Sequence, residues 1–129
     1  MISNAKNAKI FVGVDVSKAY LDLYLPDTNA LLRIANPEAA INQLCSQLEK
    51  KKRQVMVGME GTGGYEFLLI KHLASHKLDA AVINPKRIRD FAKGIGLDAK
   101  TDQIDAKVIS RYAEVVAPKP MATKSDHEL

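Results

Sequence analysis

Ile10-Phe11-Val12-Gly13-Val14 runs without a polar residue into Asp15, and Val55-Met56-Val57-Gly58-Met59 runs the same way into Glu60. Strands covered by helices on both faces read like this, because neither side meets water and no polar alternation is needed. Ala80-Ala81-Val82-Ile83 is a third run of this kind. Between the first two, Tyr20-Leu21-Asp22-Leu23-Tyr24-Leu25 partly alternates and is expected to lie antiparallel to the first strand. The turn cluster Pro26-Asp27-Thr28-Asn29 leads from it into a short third strand, Leu31-Leu32-Arg33-Ile34.

Helix signals fill the remaining stretches. Asn36-Pro37-Glu38 offers an N-cap, a proline at the first helical position and an acid at the positive end of the dipole. Ile41, Leu44, Cys45 and Leu48 form the apolar stripe of that helix, with Lys50-Lys51-Lys52-Arg53 as its last turn. The basic run is read as dipole complementation on a solvated face rather than as a nucleic-acid patch. After Gly61-Thr62-Gly63-Gly64, a tight turn, a helix is expected from about Tyr65 to Lys77. Asn84-Pro85 repeats the Asn–Pro start for a short helix to Lys93-Gly94, and residues 94–99 read as a mobile loop. Thr101 is the expected N-cap of a last helix reaching about Ala117, stopped by Pro118-Lys119-Pro120. The predicted order is β-β-β-α-β-α-β-α-α, an α/β mixed sheet of three antiparallel strands followed by parallel ones, with helices on its faces. The crossovers from Asp15 to Glu60 to Ile83 are long enough for right-handed parallel connections.

The 129 residues suit one domain, and 47% apolar residues with no tryptophan predict an aliphatic core. No run approaches the roughly 18 uninterrupted apolar residues of a membrane span. The opening Met1-Ile2-Ser3-Asn4-Ala5-Lys6 lacks the apolar stretch of a signal peptide, and Cys45 is the only cysteine, so the expected compartment is the cytoplasm. Net charge is +4. With four carboxylates committed to one site, the 19 basic residues would face 11 other acids, which favours a polyanionic partner.

The carboxylates themselves point to metal chemistry. Ligand sites of open α/β sheets form at the carboxyl ends of parallel strands. Neighbouring strands lie about 4.8 Å apart, so Asp15 and Glu60 would face each other across a gap of metal-ion size. On a helix beginning at Thr101, at about 100° per residue, Asp102 and Asp105 both fall on the inward stripe with Ile109, Tyr112 and Val116. Inward acids are costly unless they are paired or bound to a cation. Four carboxylates suit Mg²⁺ or Mn²⁺. His72 and His76, spaced i, i+4, lack the further ligands a zinc site needs, and Cys45 reads as core. Among the basic residues between 86 and 111, some could hold phosphates. Lys18 and Lys100, adjacent to the acids by sequence, are the favoured candidates, with Lys86 and Arg87 as further ones.

The segments Val14-Asp15-Val16-Ser17-Lys18, Glu60-Gly61-Thr62-Gly63-Gly64-Tyr65 and Lys100-Thr101-Asp102-Gln103-Ile104-Asp105-Ala106 resemble the three blocks of the DEDD transposases of bacterial insertion sequences, a family that includes Piv-type site-specific DNA invertases. Asn84-Pro85-Lys86 and Phe91-Ala92 resemble its usual text between the second and third blocks. The resemblance covers residues 9 to 117. It implies a ribonuclease-H-like, RuvC-like fold, with Asp15, Glu60, Asp102 and Asp105 as a catalytic tetrad binding Mg²⁺ or Mn²⁺ for DNA cleavage and strand exchange. It also implies homo-oligomeric assembly on DNA and, in some members, a guide RNA encoded by the element. Family proteins continue into a second domain with a catalytic serine. Residues 1–117 are therefore expected to be the RuvC-like domain, and residues 118–129 a tail or linker toward that missing part. Alone, the domain is expected to bind metal and nucleic acid without recombining. Ser17 is a poor substitute for the missing serine, since no base accompanies it at a fixed spacing.

Two other readings stay open on the residues. A non-catalytic nucleic-acid-binding module would keep the basic surface without the chemistry. Gly13-Val14-Asp15-Val16-Ser17-Lys18 also resembles the first phosphate motif of actin-like ATPases and sugar kinases, whose second nucleotide-binding lobe has no room in 129 residues.

Overall fold

The computed structural model describes residues 9–35, 38–61, 63–98 and 104–121. Its elements are β1 (Ile10–Val16), β2 (Tyr20–Leu25), β3 (Ala30–Ala35), α1 (Glu38–Glu49), β4 (Val55–Glu60), α2 (Phe67–Ser75), β5 (Asp79–Ile83), α3 (Pro85–Gly94) and α4 (Ala106–Val116). The element order is the expected one. The strands form a single sheet in the order β3-β2-β1-β4-β5. β1 pairs antiparallel with β2 and parallel with β4; β2 pairs antiparallel with β3, and β4 parallel with β5.

Strand alternation divides the sheet into two differently built faces. On one, Ile10, Val12, Val14, Val16, Leu21, Leu23, Leu25, Val55, Val57 and Met59 pack against Ile41, Leu44, Cys45 and Leu48 of α1 and Leu69 and Leu73 of α2. Each buried aliphatic side chain contributes about 1.5–3 kcal/mol, which makes this the principal core. α2 is tied to α1 at its polar rim. The His72 ring meets Glu38 at 3.0 Å, and the His76 ring meets Glu49 at 2.6 Å and Asn42 at 2.8 Å. The i, i+4 histidines thus serve helix packing. Cys45 is buried, and that burial pushes its thiol up to about 11, with Glu49 acting in the same direction; a protonated core thiol is no nucleophile.

The second face carries α3 and α4 and is built around missing side chains. Gly13 and Gly58 are register partners on β1 and β4, and α4 lies over both. A Cβ on Gly13 would sit 2.5 Å from the Ser110 amide nitrogen and closer still to the Ala106 carbonyl oxygen. The helix backbone therefore rests on the strand itself. Ser110 is buried at this crossing and donates its hydroxyl to the Phe11 carbonyl at 2.6 Å. Beside it, Ile83, Ile88, Ala92, Val108, Ile109 and Tyr112 form a second, smaller core, with Phe91 edge-on to Tyr112.

Several boundaries differ from expectation. α1 ends at Glu49, so Lys50–Arg53 lie beyond its last turn; Lys51 pairs with Asp27 of the β2–β3 turn at 2.8 Å. α2 begins at Phe67 rather than Tyr65, because Gly63 and Gly64 take φ values of +81° and +136° and hold the chain out of the helix. α4 begins at Ala106, not near Thr101. Its N-cap is Asp105, whose carboxylate accepts the Val108 amide at 3.0 Å, and its buried stripe starts only at Ala106. Asp105 is thus an exposed cap and not an inward helical acid. Past α4, the Met121 amide donates to the Ala80 carbonyl at 2.7 Å, so residues 118–121 return along the outer edge of β5. The Asn36-Pro37 helix start and Thr101 lie outside the described residues.

Gly13→Ala is expected to lower the unfolding free energy by about 3 kcal/mol or more, since backbone and not side-chain ends must yield. Gly58→Ala, whose new methyl would meet side chains, the Ala113 Cβ at 3.2 Å, Ile83 Cδ1 at 3.3 Å and Ile109 Cγ2 at 3.8 Å, is expected to cost distinctly less. Urea denaturation of both variants checks this ordering, and equal losses would contradict the backbone-on-backbone seat.

Candidate metal and DNA site

The sheet delivers acids to one end. Val14 pairs with Met59, so Asp15 and Glu60, the next residue of each parallel strand, emerge side by side. The hairpin closed by Ser17 and Tyr20 places Asp22 directly opposite Asp15, on the same face. α4, seated on Gly13, brings its cap Asp105 over this end. A cleft of about 330 Å³ is lined by Asp15, Asp22, Leu31, Arg33, Ile104 and Asp105 among others.

Asp15 is the electrostatic centre of the group. Its carboxyl is raised above the ordinary aspartate range, first by burial, then by repulsion from Asp22, Glu60 and Asp105; the Arg33 guanidinium opposes them. Arg33 itself is held by Asp22 in a two-pronged ion pair, Nε to Oδ1 at 2.7 Å and Nη2 to Oδ2 at 3.1 Å. Asp15 is thus a partly buried carboxyl among further oxygen donors, whose repulsion outweighs the Arg33 guanidinium. That is the donor chemistry of a hard divalent cation. The side chains nonetheless stand apart: among the described residues, no three His, Cys, Asp or Glu side chains lie within reach of one metal ion.

Of the sequence-predicted residues, Asp15, Glu60 and Asp105 come to one end of the sheet, while Asp102 and Lys100 lie outside the described residues. Lys18 is exposed in the β1–β2 turn beside the acids. Ser17 in that turn spends its hydroxyl on the backbone, donating to the Tyr20 carbonyl and accepting from the Tyr20 amide. Lys86 and Arg87 stand in the first turn of α3, which starts at the same end because Ile83 is the register partner of Glu60. Asn84 caps that helix by accepting the Lys86 amide at 2.8 Å. The Gly61 amide donates to the Ile83 carbonyl and the Gly64 amide to Glu66, so these two amides are already engaged. Asp22 and Arg33 were not among the predicted residues. Counting back from the tight turn pairs Val16 with Leu21 and therefore Asp15 with Asp22, and the next hairpin's register carries the row on to Arg33.

The raised carboxyl makes a stability prediction. A carboxyl whose folded pKa exceeds its unfolded value takes up protons on folding, so stability falls as pH rises through the window between the two values. Asp15→Asn is therefore expected to raise the melting temperature at pH 7 in metal-free buffer. The gain should shrink as pH falls through the folded value and vanish below the unfolded aspartate value, where the wild-type carboxyl is protonated in both states. A variant that melts at or below wild type at pH 7 contradicts the assigned repulsion.

Comparison with known proteins agrees with this architecture. Residues 12–128 match the model of the family DEDD_Tnp_IS110, described as Transposase. The pilin gene-inverting proteins of Moraxella lacunata and Moraxella bovis are each 26% identical over 127 residues, covering 95% of this chain and 39% of those proteins. The chain thus spans about two fifths of the length of these relatives. T. thermophilus RuvC, solved in complex with a Holliday junction substrate, superposes with a TM-score of 0.57 at 11% identity, over 88% of this chain and all of that one. The mixed sheet is accordingly RuvC-like, of the ribonuclease-H type, and the chain belongs to the DEDD_Tnp_IS110 transposase family.

Proposed function

We propose that residues 1–117 form the catalytic domain of a DNA transposase or site-specific recombinase, which cuts and exchanges DNA strands with divalent metal held by Asp15, Glu60, Asp102 and Asp105. The observation that carries this reading is that strand-end and helix-cap acids come to one end of the sheet around Asp15, whose carboxyl is raised first by burial and then by Asp22, Glu60 and Asp105. Family membership and the pilin gene-inverting relatives support DNA as the substrate. With Mg²⁺ or Mn²⁺ bound at these acids, activation of a hydroxyl and stabilisation of the leaving phosphodiester oxygen become available.

The chain's own residues have separable tasks. Asp15 and Glu60, fixed by two paired strands, hold the rigid side of the site. Asp105 holds the other side from the cap of α4, where its carboxylate also retains a backbone hydrogen bond. Lys86 and Arg87 face the DNA backbone, together with Arg89 and Lys93 further along α3. All four are exposed, and Arg87, Arg89 and Lys93 make no ion pair among the described residues. Lys18 and Lys100 belong to the same phosphate-binding edge. Homo-oligomeric assembly on DNA, an element-encoded guide RNA and a further domain reached through residues 118–129 complete this reading.

Isothermal titration of Mn²⁺ tests the metal. Wild type is expected to bind saturably, and Asp105→Asn to lose at least about tenfold in affinity. Asparagine caps helices as well as aspartate does, so the variant removes charge while keeping the start of α4. Indistinguishable titrations would remove the metal reading. The DNA face is tested by salt dependence. Replacing Lys86, Arg89 and Lys93 by Gln is expected to lower the slope of log affinity against log salt by about 0.9 per lost phosphate contact on duplex or four-way-junction DNA. Lys50→Gln with Lys52→Gln, at the far end of the sheet, should leave that slope unchanged; the reverse result would relocate the DNA face.

A further inference from the structure

Asp15, Asp22 and Arg33 occupy one row across three strands: Asp15 is the register partner of Asp22, and Asp22 of Arg33. All three line the same cleft. Arg33 is the cation that the structure sets against the acid group from this side, and both Nε and Nη2 are directed at Asp22 rather than Asp15. Its guanidinium also lies 4.8 Å from the centre of the Tyr20 ring, which steadies the plane from the flank.

We infer that Asp22 is a positioning residue for the acid site: it holds Arg33 in a neutral pair and keeps that guanidinium away from Asp15. The physical need is plain. Arg33 and Asp15 are two strand spacings apart, about 9.6 Å, a distance an extended arginine side chain largely spans. An arginine on Asp15 would compete directly with any cation for the same oxygens, and its fork-shaped donor set is well suited to a carboxylate. Asp22 stands between them and offers a geometry the guanidinium fills with two hydrogen bonds. The pair therefore leaves the Asp15 oxygens unoccupied, with Arg33 opposing part of the repulsion that Asp22 itself adds there. The row is also self-contained: Leu21 and Leu23 on either side of Asp22 point into the opposite core, so no other carboxylate on β2 can take its place.

This inference rests on the proposed metal site, and the test separates the two. Mn²⁺ affinity is measured by titration for wild type, Asp22→Asn, Arg33→Gln, Asp22→Asn with Arg33→Gln, and Asp22→Asn with Arg33→Lys. Loss of an outer residue that orients a metal ligand ordinarily costs about 10–100-fold in metal affinity. Asp22→Asn is expected to weaken binding by about tenfold, because Arg33 is released toward Asp15. Removing the arginine as well should restore wild-type affinity, whereas the lysine double variant, which keeps the charge, should stay weak. Arg33→Gln alone should bind as tightly as wild type or tighter. A merely structural ion pair gives a different pattern, since Asp22→Asn and Arg33→Gln would then weaken binding alike. Unchanged affinity in Asp22→Asn, or no recovery in the Asn–Gln double variant, overturns the inference while leaving the metal site standing. Absence of saturable binding in wild type overturns both.

Discussion

The backbone of α4 rests directly on β1 at Gly13, and the candidate site depends on that contact. Helices ordinarily stand off a sheet by the thickness of their side chains. Here the Ala106 carbonyl and the Ser110 backbone occupy the space a Cβ would need, and the Ser110 hydroxyl reaches the Phe11 carbonyl. Gly58 extends the seat onto the next strand beneath Ala113. The small residues of α4 and the two glycines are thus complementary. This depth of docking is what carries the helix cap to the strand ends. If the helix were raised by one side chain, Asp105 would stand away from Asp15.

The same docking makes the acid end electrostatically unfavourable. Burial and three neighbouring carboxylates all act against the charged form of Asp15, and the one opposing guanidinium is committed to Asp22. Sites of this kind trade stability for function, since repulsion that weakens the fold is the same field that would hold a cation. The opposite sheet face is an aliphatic core, with His72–Glu38 and His76–Glu49 contacts at the α1–α2 rim. One face supplies most of the stability and the other is free to be specialised.

Charge is also sorted along the strands. The acids, Lys18 and the first turn of α3 gather at the carboxyl ends of β1, β4 and β5. The run Lys50–Arg53 lies at the other end, next to Val55, where Lys51 is neutralised by Asp27. Two basic stretches that look alike in sequence therefore face different surroundings. No helix of the described residues is long and apolar enough to cross a membrane.

Sequence alone determined the strands and their order. Uninterrupted apolar runs ending at Asp15 and Glu60 leave a buried parallel pair as the natural reading, and local chemistry such as the Asn84 cap is decided within a few residues. The hairpin pairing of Asp15 with Asp22 was also within reach, because a tight turn fixes register by counting. The start of α4 was not legible, because Thr101 and Asp105 are both good caps and the choice goes to the one after which a buried stripe can begin. That stripe is defined by contact with Gly13 and Gly58, residues some 45 to 100 positions distant in the chain. Only the tertiary structure could therefore turn Asp105 from an inward helical acid into a cap above the strand ends, and commit the Arg33 guanidinium to Asp22 on the neighbouring strand. Local pattern fixes which residues form an element; the depth at which two elements meet is decided by side chains on both, and this protein's candidate site lies at such a meeting.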